Sequence, residues 1–255
     1  MKSREFATVV EQKKIASDVY SLWLQTEQIA KEARPGQFVS VYSKDDSRML
    51  PRPISICEID RESGCLRLVY RVVGQGTEEF SHLSAGEKLE ILGPLGNGFA
   101  PVEGKKKAFL MGGGIGIPPM VQLAKELDCE VQVIAGYRDE LFLTEELKAN
   151  GALYIATEDG SAGTKGNVMD AIRENGLTAD IIYACGPKPM LRAIKAYAEE
   201  HQIMCYISME ERMAGGIGAC LACVCQSKEV DEHTHVHNKR ICKDGPVFLS
   251  TEVEL

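Results

Sequence analysis

The stretch Cys220-Leu221-Ala222-Cys223-Val224-Cys225, followed at a distance by Cys242, limits this chain more than any other feature. From Met213 onward the sequence offers glycines, cysteines, a charged loop (Lys228 to Arg240) and a short tail, with too few apolar residues for a core of its own. Such a segment folds when thiolates close around metal, because metal binding then supplies folding energy that apolar burial does not. Cys-x2-Cys with a distant third cysteine is an iron–sulfur spacing, whose plant-type form is C-x4-C-x2-C…C. Counting back from Cys220 puts the first of those cysteines at 215. This chain has Gly215 there, in Met213-Ala214-Gly215-Gly216-Ile217-Gly218-Ala219-Cys220. The spacing predicts electron transfer, with one expected ligand absent.

The rest of the composition narrows the setting. Nine cysteines in 255 residues is an odd count in a chain too long to need disulfide staples. Reduced thiols, a cytoplasmic location and clustered cysteines acting as metal ligands follow as expectations. A formal net charge of -8 argues against general affinity for nucleic acid or an anionic membrane. Met1-Lys2-Ser3-Arg4-Glu5-Phe6 carries no signal-peptide apolar core, and no uninterrupted apolar segment is long enough to span a bilayer.

Three regions follow from local pattern. Residues 1–98 read as β-rich: Gln37–Tyr42, Leu66–Val73 and Lys88–Leu92 are short, β-branched and bounded by Gly, Pro and Asp, as in a small barrel. Gly93-Pro94-Leu95-Gly96-Asn97-Gly98 is a turn cluster and marks a domain edge. Over 99–211 strands alternate with helices: strands at Ala108–Met111, Glu130–Ala135, Ala152–Thr157, Ile181–Ala184 and Ile203–Ile207, and a helix to about Leu127. That alternation predicts a doubly wound parallel sheet with helices on both faces. Residues 212–255 form the cysteine-bearing unit.

Several motifs point to chemistry, each with a plainer structural explanation. Gly112-Gly113-Gly114-Ile115-Gly116-Ile117-Pro118-Pro119 follows a strand and opens a helix, where glycines let backbone approach a pyrophosphate. It departs from G-x-G-x-x-G at Pro119, and an ordinary strand-to-helix turn uses glycines too. Arg52-Pro53-Ile54-Ser55 pairs a cation with a hydroxyl on an extended strand, suited to phosphate and a flavin edge. Tyr70-Arg71 adds a planar ring and a second cation, and Gly76-Thr77 a phosphate-binding turn. Cys185-Gly186-Pro187 ends a strand on the side where such sheets bind ligands. Cys185 suits a position against a nicotinamide ring, although a free cysteine is more commonly a buried small residue. His233, His235 and His237 alternate as metal ligands on a strand would, but a solvated charged loop explains them more simply.

Taken together and in this order, Arg52-Pro53-Ile54-Ser55, Tyr70-Arg71, Gly76-Thr77, the glycine turn at 112–119, Cys185-Gly186-Pro187-x-Pro189-Met190, the terminal cysteines and Asp244-Gly245-Pro246-Val247-Phe248 resemble the ferredoxin–NADP reductase superfamily. Within it, the chain is similar to the electron transfer subunits of NAD-dependent (class 1B) dihydroorotate dehydrogenases. The resemblance implies an FAD-binding antiparallel β-barrel, a parallel-sheet NAD domain and a small C-terminal 2Fe-2S domain. It assigns FAD to Arg52, Pro53, Ile54, Ser55, Val69, Tyr70, Arg71, Gly76 and Thr77. It gives NAD to Gly112, Gly113, Gly114, Gly116, Gly186 and Pro187, with Cys185 nearest the reacting carbon. Cys220, Cys223 and Cys242 become cluster ligands, and the family's remaining ligand falls on Gly215. It implies a partner: an FMN-containing dihydroorotate dehydrogenase catalytic subunit, together a heterotetramer. A nicotinamide exchanges hydride and a 2Fe-2S cluster single electrons, so a flavin belongs between them.

Glycine cannot ligate iron, and four answers stay open: Cys225 substitutes, a histidine substitutes, a water or external thiol fills the slot, or the cluster is absent. Two rival functions also stand. One is a related NAD(P)H–ferredoxin or sulfide reductase subunit. The other is a degenerate reductase whose Cys220, Cys223, Cys242 and a histidine hold structural zinc. Gly136-Tyr137-Arg138-Asp139 follows the second strand of the nucleotide region, where Arg138 suits a 2′-phosphate and Asp139 a 2′-hydroxyl.

Overall fold

Short strands with alternating burial close on themselves over the first part of the chain. In the computed structural model, which describes residues 2–45, 47–230 and 235–255, these are β1 (Ser3–Lys14), β2 (Val19–Gln25), β3 (Phe38–Val41), β4 (Arg52–Asp60), β5 (Cys65–Arg71) and β6 (Lys88–Leu95). All neighbours are antiparallel, and the barrel order is β1-β2-β5-β4-β3-β6. Two short helices, α1 (Ile29–Glu32) and α2 (Gln75–Ser81), sit in its connections. Leu22, Leu24, Val39, Ile56, Leu66, Leu68 and Ile91 fill the interior. The expected turn cluster begins later than its glycines and prolines suggest, because β6 runs on through Leu95.

The second part alternates β7 (Lys107–Gly113), α3 (Pro118–Glu126), β8 (Glu130–Tyr137), α4 (Thr144–Lys148), β9 (Ala152–Thr157), β10 (Thr164–Lys165), α5 (Val168–Glu174), β11 (Ile181–Cys185), α6 (Lys188–Glu200) and β12 (Met204–Ser208). Along β7, Phe109 and Met111 face one core with α5 and α6. Ala108 and Leu110 face another with α3 and α4. Burial on both faces is why this strand reads as an unbroken apolar run. Each fully buried large side chain there contributes about 1.5–3 kcal/mol.

Beyond β12 the chain forms a hairpin, β13 (Val224–Gln226) with β14 (Asn238–Arg240), and returns as β15 (Val247–Leu249). β15 pairs antiparallel with β12, Ser208 opposite Val247, so the last strand belongs to the nucleotide sheet. The sheet order is β10-β9-β8-β7-β11-β12-β15. The order reverses between β7 and β11, the switch point at which open α/β sheets bind ligands beyond their strand ends. No helix among the described residues is long and apolar enough to cross a membrane.

Candidate functional site

The barrel opens where the sequence places its flavin motifs. The β4–β5 ladder runs from Asp60 opposite Cys65 only as far as Ile56 opposite Leu68. Beyond that pair Arg52–Ser55 stay with β3, and Val69–Arg71 stay with β2. The two motifs therefore face each other across a fork whose inner backbone edges are free of strand pairing, and unpaired edges seek donors and acceptors. Alternation along β4 puts Ile54 and Ile56 in the core and leaves Arg52, Pro53 and Ser55 partly exposed. At the fork's mouth the Arg52 guanidinium lies over Gly76: a Cβ there would come within 2.2 Å of Arg52 Nε. Thr77 Oγ1 accepts from the Val73 and Gly74 amides at 3.0 and 3.2 Å, fixing the start of α2. A cation and the unpaired amides of a helix's first turn thus meet where an anion would sit.

Two expectations change. The Tyr70 ring is not a platform at the surface: it is 3% exposed, stacks on Tyr20 at 5.9 Å and donates its hydroxyl to Gln12 Oε1 at 2.9 Å. Strand alternation turned it into the barrel, so Val69 and Tyr70 offer the fork their main chain. Arg71 Nε lies 3.0 Å from Asp18 Oδ2, off the line of its N–H, and makes no hydrogen bond among the described residues. Sequence reasoning missed Asp18, which carries no motif.

At the sheet's switch point Gly112 pairs with Cys185 across β7 and β11. The glycines here serve the protein first. A Cβ at Gly116 would strike Cys185 O at 2.3 Å, one at Gly113 Met190 Sδ at 2.5 Å, one at Gly186 Met190 Cε at 2.6 Å, and one at Gly112 Ile117 Cα at 2.8 Å. Gly114 alone of the turn faces open space, with φ +53. Pro187 precedes α6 in an extended conformation. Cys185 ends β11 beside Ser208, its ladder partner on β12. Burial pushes its thiol up to about 12, against the pull of the Ser208 hydrogen bond, so the group is a neutral thiol at physiological pH. Arg138 Nε pairs with Asp139 Oδ2 at 3.1 Å, and both are exposed just past β8.

The cysteine loop packs on the barrel beside the fork. A Cβ at Gly216 would lie 2.8 Å from Ser40 Oγ. Ser40 pairs with Pro53 in the β3–β4 ladder. Its hydroxyl is buried and has no hydrogen-bond partner among the described residues, a further feature that sequence reasoning missed because Ser40 sits inside an apolar run. The predicted domain edge proves to be a clamp: Asn97 donates its side-chain amide to Lys243 O at 3.2 Å and Asp244 O at 3.0 Å, holding the turn that follows Cys242.

Three thiols converge in this loop. The Cys242 amide donates to Cys223 Sγ at 3.4 Å. Burial, a hydrogen bond with Cys223 and the nearby Cys223 and Cys220 thiols push the Cys242 thiol up to about 11. Cys220 goes the other way: backbone hydrogen bonds from Ala222, Gly215, Cys220 and Ala214 hold its thiol below the usual range. Amides converging on sulfur stabilise thiolate, which is the form that binds metal. This donor set fits an iron–sulfur cluster at three positions. No three His, Cys, Asp or Glu side chains among the described residues gather around one point tightly enough to hold a single ion.

The hairpin register places those substitutes for the fourth ligand that lie among the described residues. Cys225 sits in β13 opposite Lys239 and donates its thiol to Lys239 O at 3.5 Å, 8% exposed in the core. His235 and His237 lie beyond the far end of β13–β14, exposed, with Ser227 donating its amide to His237 O. The three residues of β13 separate Ser227 from Cys223, four steps of about 3.3 Å or about 13 Å. They take no part in a site with Cys223, and the zinc alternative loses its described histidines. His233 lies outside the described residues.

Residues 6–99 match an oxidoreductase FAD-binding domain. Residues 210–254 match the iron-sulfur cluster binding domain of dihydroorotate dehydrogenase B. Curated electron transfer subunits of dihydroorotate dehydrogenase B (NAD+) align over the full chain. That of Fusobacterium nucleatum is 42% identical, covering 98% of each chain. That of Enterococcus faecalis is 44% identical, covering 100% of this chain and 99% of its own. The chain belongs to this family. Its resemblance to such subunits, carried by ordered motifs, is therefore borne out, as is the combination of flavin barrel, parallel nucleotide sheet and cluster-binding region. It is an NAD-linked FAD and iron–sulfur oxidoreductase subunit. Family members are named for transferring electrons, which implies a catalytic partner subunit. Among solved structures, an NADH-dependent reduced ferredoxin-NADP oxidoreductase described for flavin-based electron bifurcation superposes with TM-score 0.87 at 31% identity, covering 98% of this chain and 90% of that one. A ferredoxin reductase of carbazole 1,9a-dioxygenase shares the fold, with TM-score 0.67 at 21% identity over 79% of this chain and 67% of that one.

Proposed function

We propose that this chain passes electrons between the FMN of a dihydroorotate-oxidising partner and NAD+ in the cytoplasm, within a heterotetramer. One juxtaposition carries the proposal: the cysteine loop rests on Ser40, the ladder partner of Pro53 in the flavin fork. When bound, the flavin supplies the exchange between hydride and single electrons that joins nicotinamide to cluster.

The chain's own residues bind and orient. Arg52 and the α2 amides at Gly76 and Thr77 hold the flavin's phosphates. Ser55 and the main chain of Pro53, Ile54, Val69, Tyr70 and Arg71 line its ring in the fork. Gly112, Gly113, Gly114 and Gly116, with Gly186 and Pro187, form the nicotinamide nucleotide's seat at the switch point. Cys185 packs against the nicotinamide as a neutral thiol that excludes water. Cys220, Cys223 and Cys242 hold the cluster. In this scheme 1–98 binds FAD, 99–211 binds NAD and 212–255 carries the cluster.

Anaerobic purification with flavin, iron and sulfide counts, beside NADH-dependent dye reduction, tests the scheme. Bound FAD with NADH-driven dye reduction supports the flavin–nucleotide half, and loss of both sinks it. Co-purification of an FMN protein that oxidises dihydroorotate supports the partner. A second reading, a reductase serving ferredoxin, is kept by the 0.87 TM-score to a ferredoxin-linked enzyme. Reduction of ferredoxin without any FMN partner would favour it.

A further inference from the structure

Three glycines crowd the cysteine loop, and only one has no structural reason to be glycine. Gly216 and Gly218 have φ +71 and +85, and a Cβ on them would meet Ser40 Oγ and Lys243 Cβ, each at 2.8 Å. Gly215 lies outside the left-handed region, and its Cβ would find nothing nearer than Cys220 Sγ and Ile217 Cγ1, each at 3.9 Å. A Cβ fits there without strain. The direction its side chain would take leads toward a thiol that the other observations make a metal ligand. Gly215 and Cys220 are both partly exposed, so solvent reaches the space. Position 215 therefore has room for a ligand beside Cys220, and the glycine there supplies none.

Among the described residues, Cys225 donates its thiol to Lys239 O, and His235 and His237 lie at the other end of the hairpin, so no side chain there is seen in the space beside Gly215. We propose that position 215 is an open ligand position, at which a small thiol from solution binds as thiolate beside Cys220, Cys223 and Cys242. The thiol's proton passes to the buffer and no oxidation state changes. The inference rests on the cluster assignment above. A chain of this kind holds an exchangeable ligand where a fixed cysteine would leave none, so its cluster responds to the cell's low-molecular-weight thiols.

The test uses the full chain, FAD-loaded and reconstituted anaerobically with iron and sulfide, titrated with 2-mercaptoethanol. Visible circular dichroism and EPR report the cluster, and iron, sulfide and FAD counts report loading. The wild type should show a saturable spectral shift, and its half-life against a chelator should lengthen about tenfold at saturation. Gly215→Cys should have that longer half-life without added thiol and show no shift. Gly215→Ala, which adds bulk but no ligand, should titrate like the wild type. A fully loaded wild type whose spectrum ignores the thiol overturns the proposal, as does Gly215→Cys titrating like the wild type. FAD uptake with no iron, even with thiol present, also overturns it while sparing the flavin–nucleotide half. Failure to bind FAD would instead strike the functional reading beneath it. Should Gly215→Cys misfold, as its FAD count would show, the wild-type and Gly215→Ala titrations decide.

Discussion

Arg67 Nη1, on β5 of the barrel, lies 2.7 Å from Glu146 Oε1, on α4 of the nucleotide sheet. The same nitrogen is 2.5 Å from Glu58 Oε2, and Lys125 of α3 reaches the other Glu58 oxygen. Two cations and two carboxylates thus tie barrel strands β4 and β5 to helices α3 and α4 of the nucleotide region. Glu58 and Arg67 are both buried.

Removing one member of a buried pair strands its partner, at a cost of about 3–5 kcal/mol. Arg67→Met should lower unfolding stability by roughly that amount at pH 7, and Glu146→Gln, on the more exposed carboxylate, by about 1 kcal/mol. Urea midpoints decide. An Arg67→Met loss below about 1 kcal/mol would show that the network holds nothing together.

The same network sets a pH dependence. Burial would raise the Glu58 carboxyl, but hydrogen bonds from Lys125 and Arg67 outweigh it and the group is held below its ordinary value. A depressed carboxylate contributes stability above its unfolded value and loses it as pH falls through the folded one. The gap between wild type and Arg67→Met should therefore be full at neutral pH and narrow in the acid range below the usual carboxylate value. A gap constant from pH 7 to pH 3 contradicts this.

Arg52→Ala should weaken FAD binding about 10- to 100-fold, the worth of a charge-assisted hydrogen bond. Gly76→Ala should act in the same direction, because its methyl would displace the guanidinium lying over it. Flavin fluorescence during dilution measures both. Full FAD retention in Arg52→Ala would move the phosphate site elsewhere.

Cys185 should be silent to pH. With its thiol near 12, NADH-dependent dye reduction should show no ionisation from this residue between pH 7 and pH 9. Cys185→Ala should slow flavin reduction by about tenfold through lost positioning, with FAD content unchanged. An alkaline break that vanishes in Cys185→Ala would show a thiolate at work.

Asn97→Ala should free the turn after Cys242 from two hydrogen bonds, costing about 1–2 kcal/mol. The expected sign is faster iron loss to a chelator with FAD retained. Equal rates would mean that the turn is held by other contacts.

Much of this was legible in the residues. β7 announces itself as an apolar run bounded by glycines because both its faces are buried, and the cysteine spacing survives the loss of one member. Other features follow from spatial pairings that no local pattern records. Tyr70 looks like a flavin platform until strand alternation turns it inward onto Gln12. Arg67 and Glu146 lie in separate regions of sequence and meet only because the barrel packs against α4. The fork between β4 and β5 is a property of register, set where the ladder stops at Ile56 and Leu68, and composition carries no trace of it.

The pairing of Ser208 with Val247 has one more consequence. Everything between those residues, the cysteine loop and its hairpin included, is topologically the connection of a single β-hairpin. Its ends are already joined, so the entropy of closing it is met by the sheet rather than by metal. The redox module is thus an insert within one hairpin of the nucleotide sheet, and its Cys223, Ile241 and Cys242 share a core with Phe109 and Ile207 of that sheet and Leu95 of the barrel.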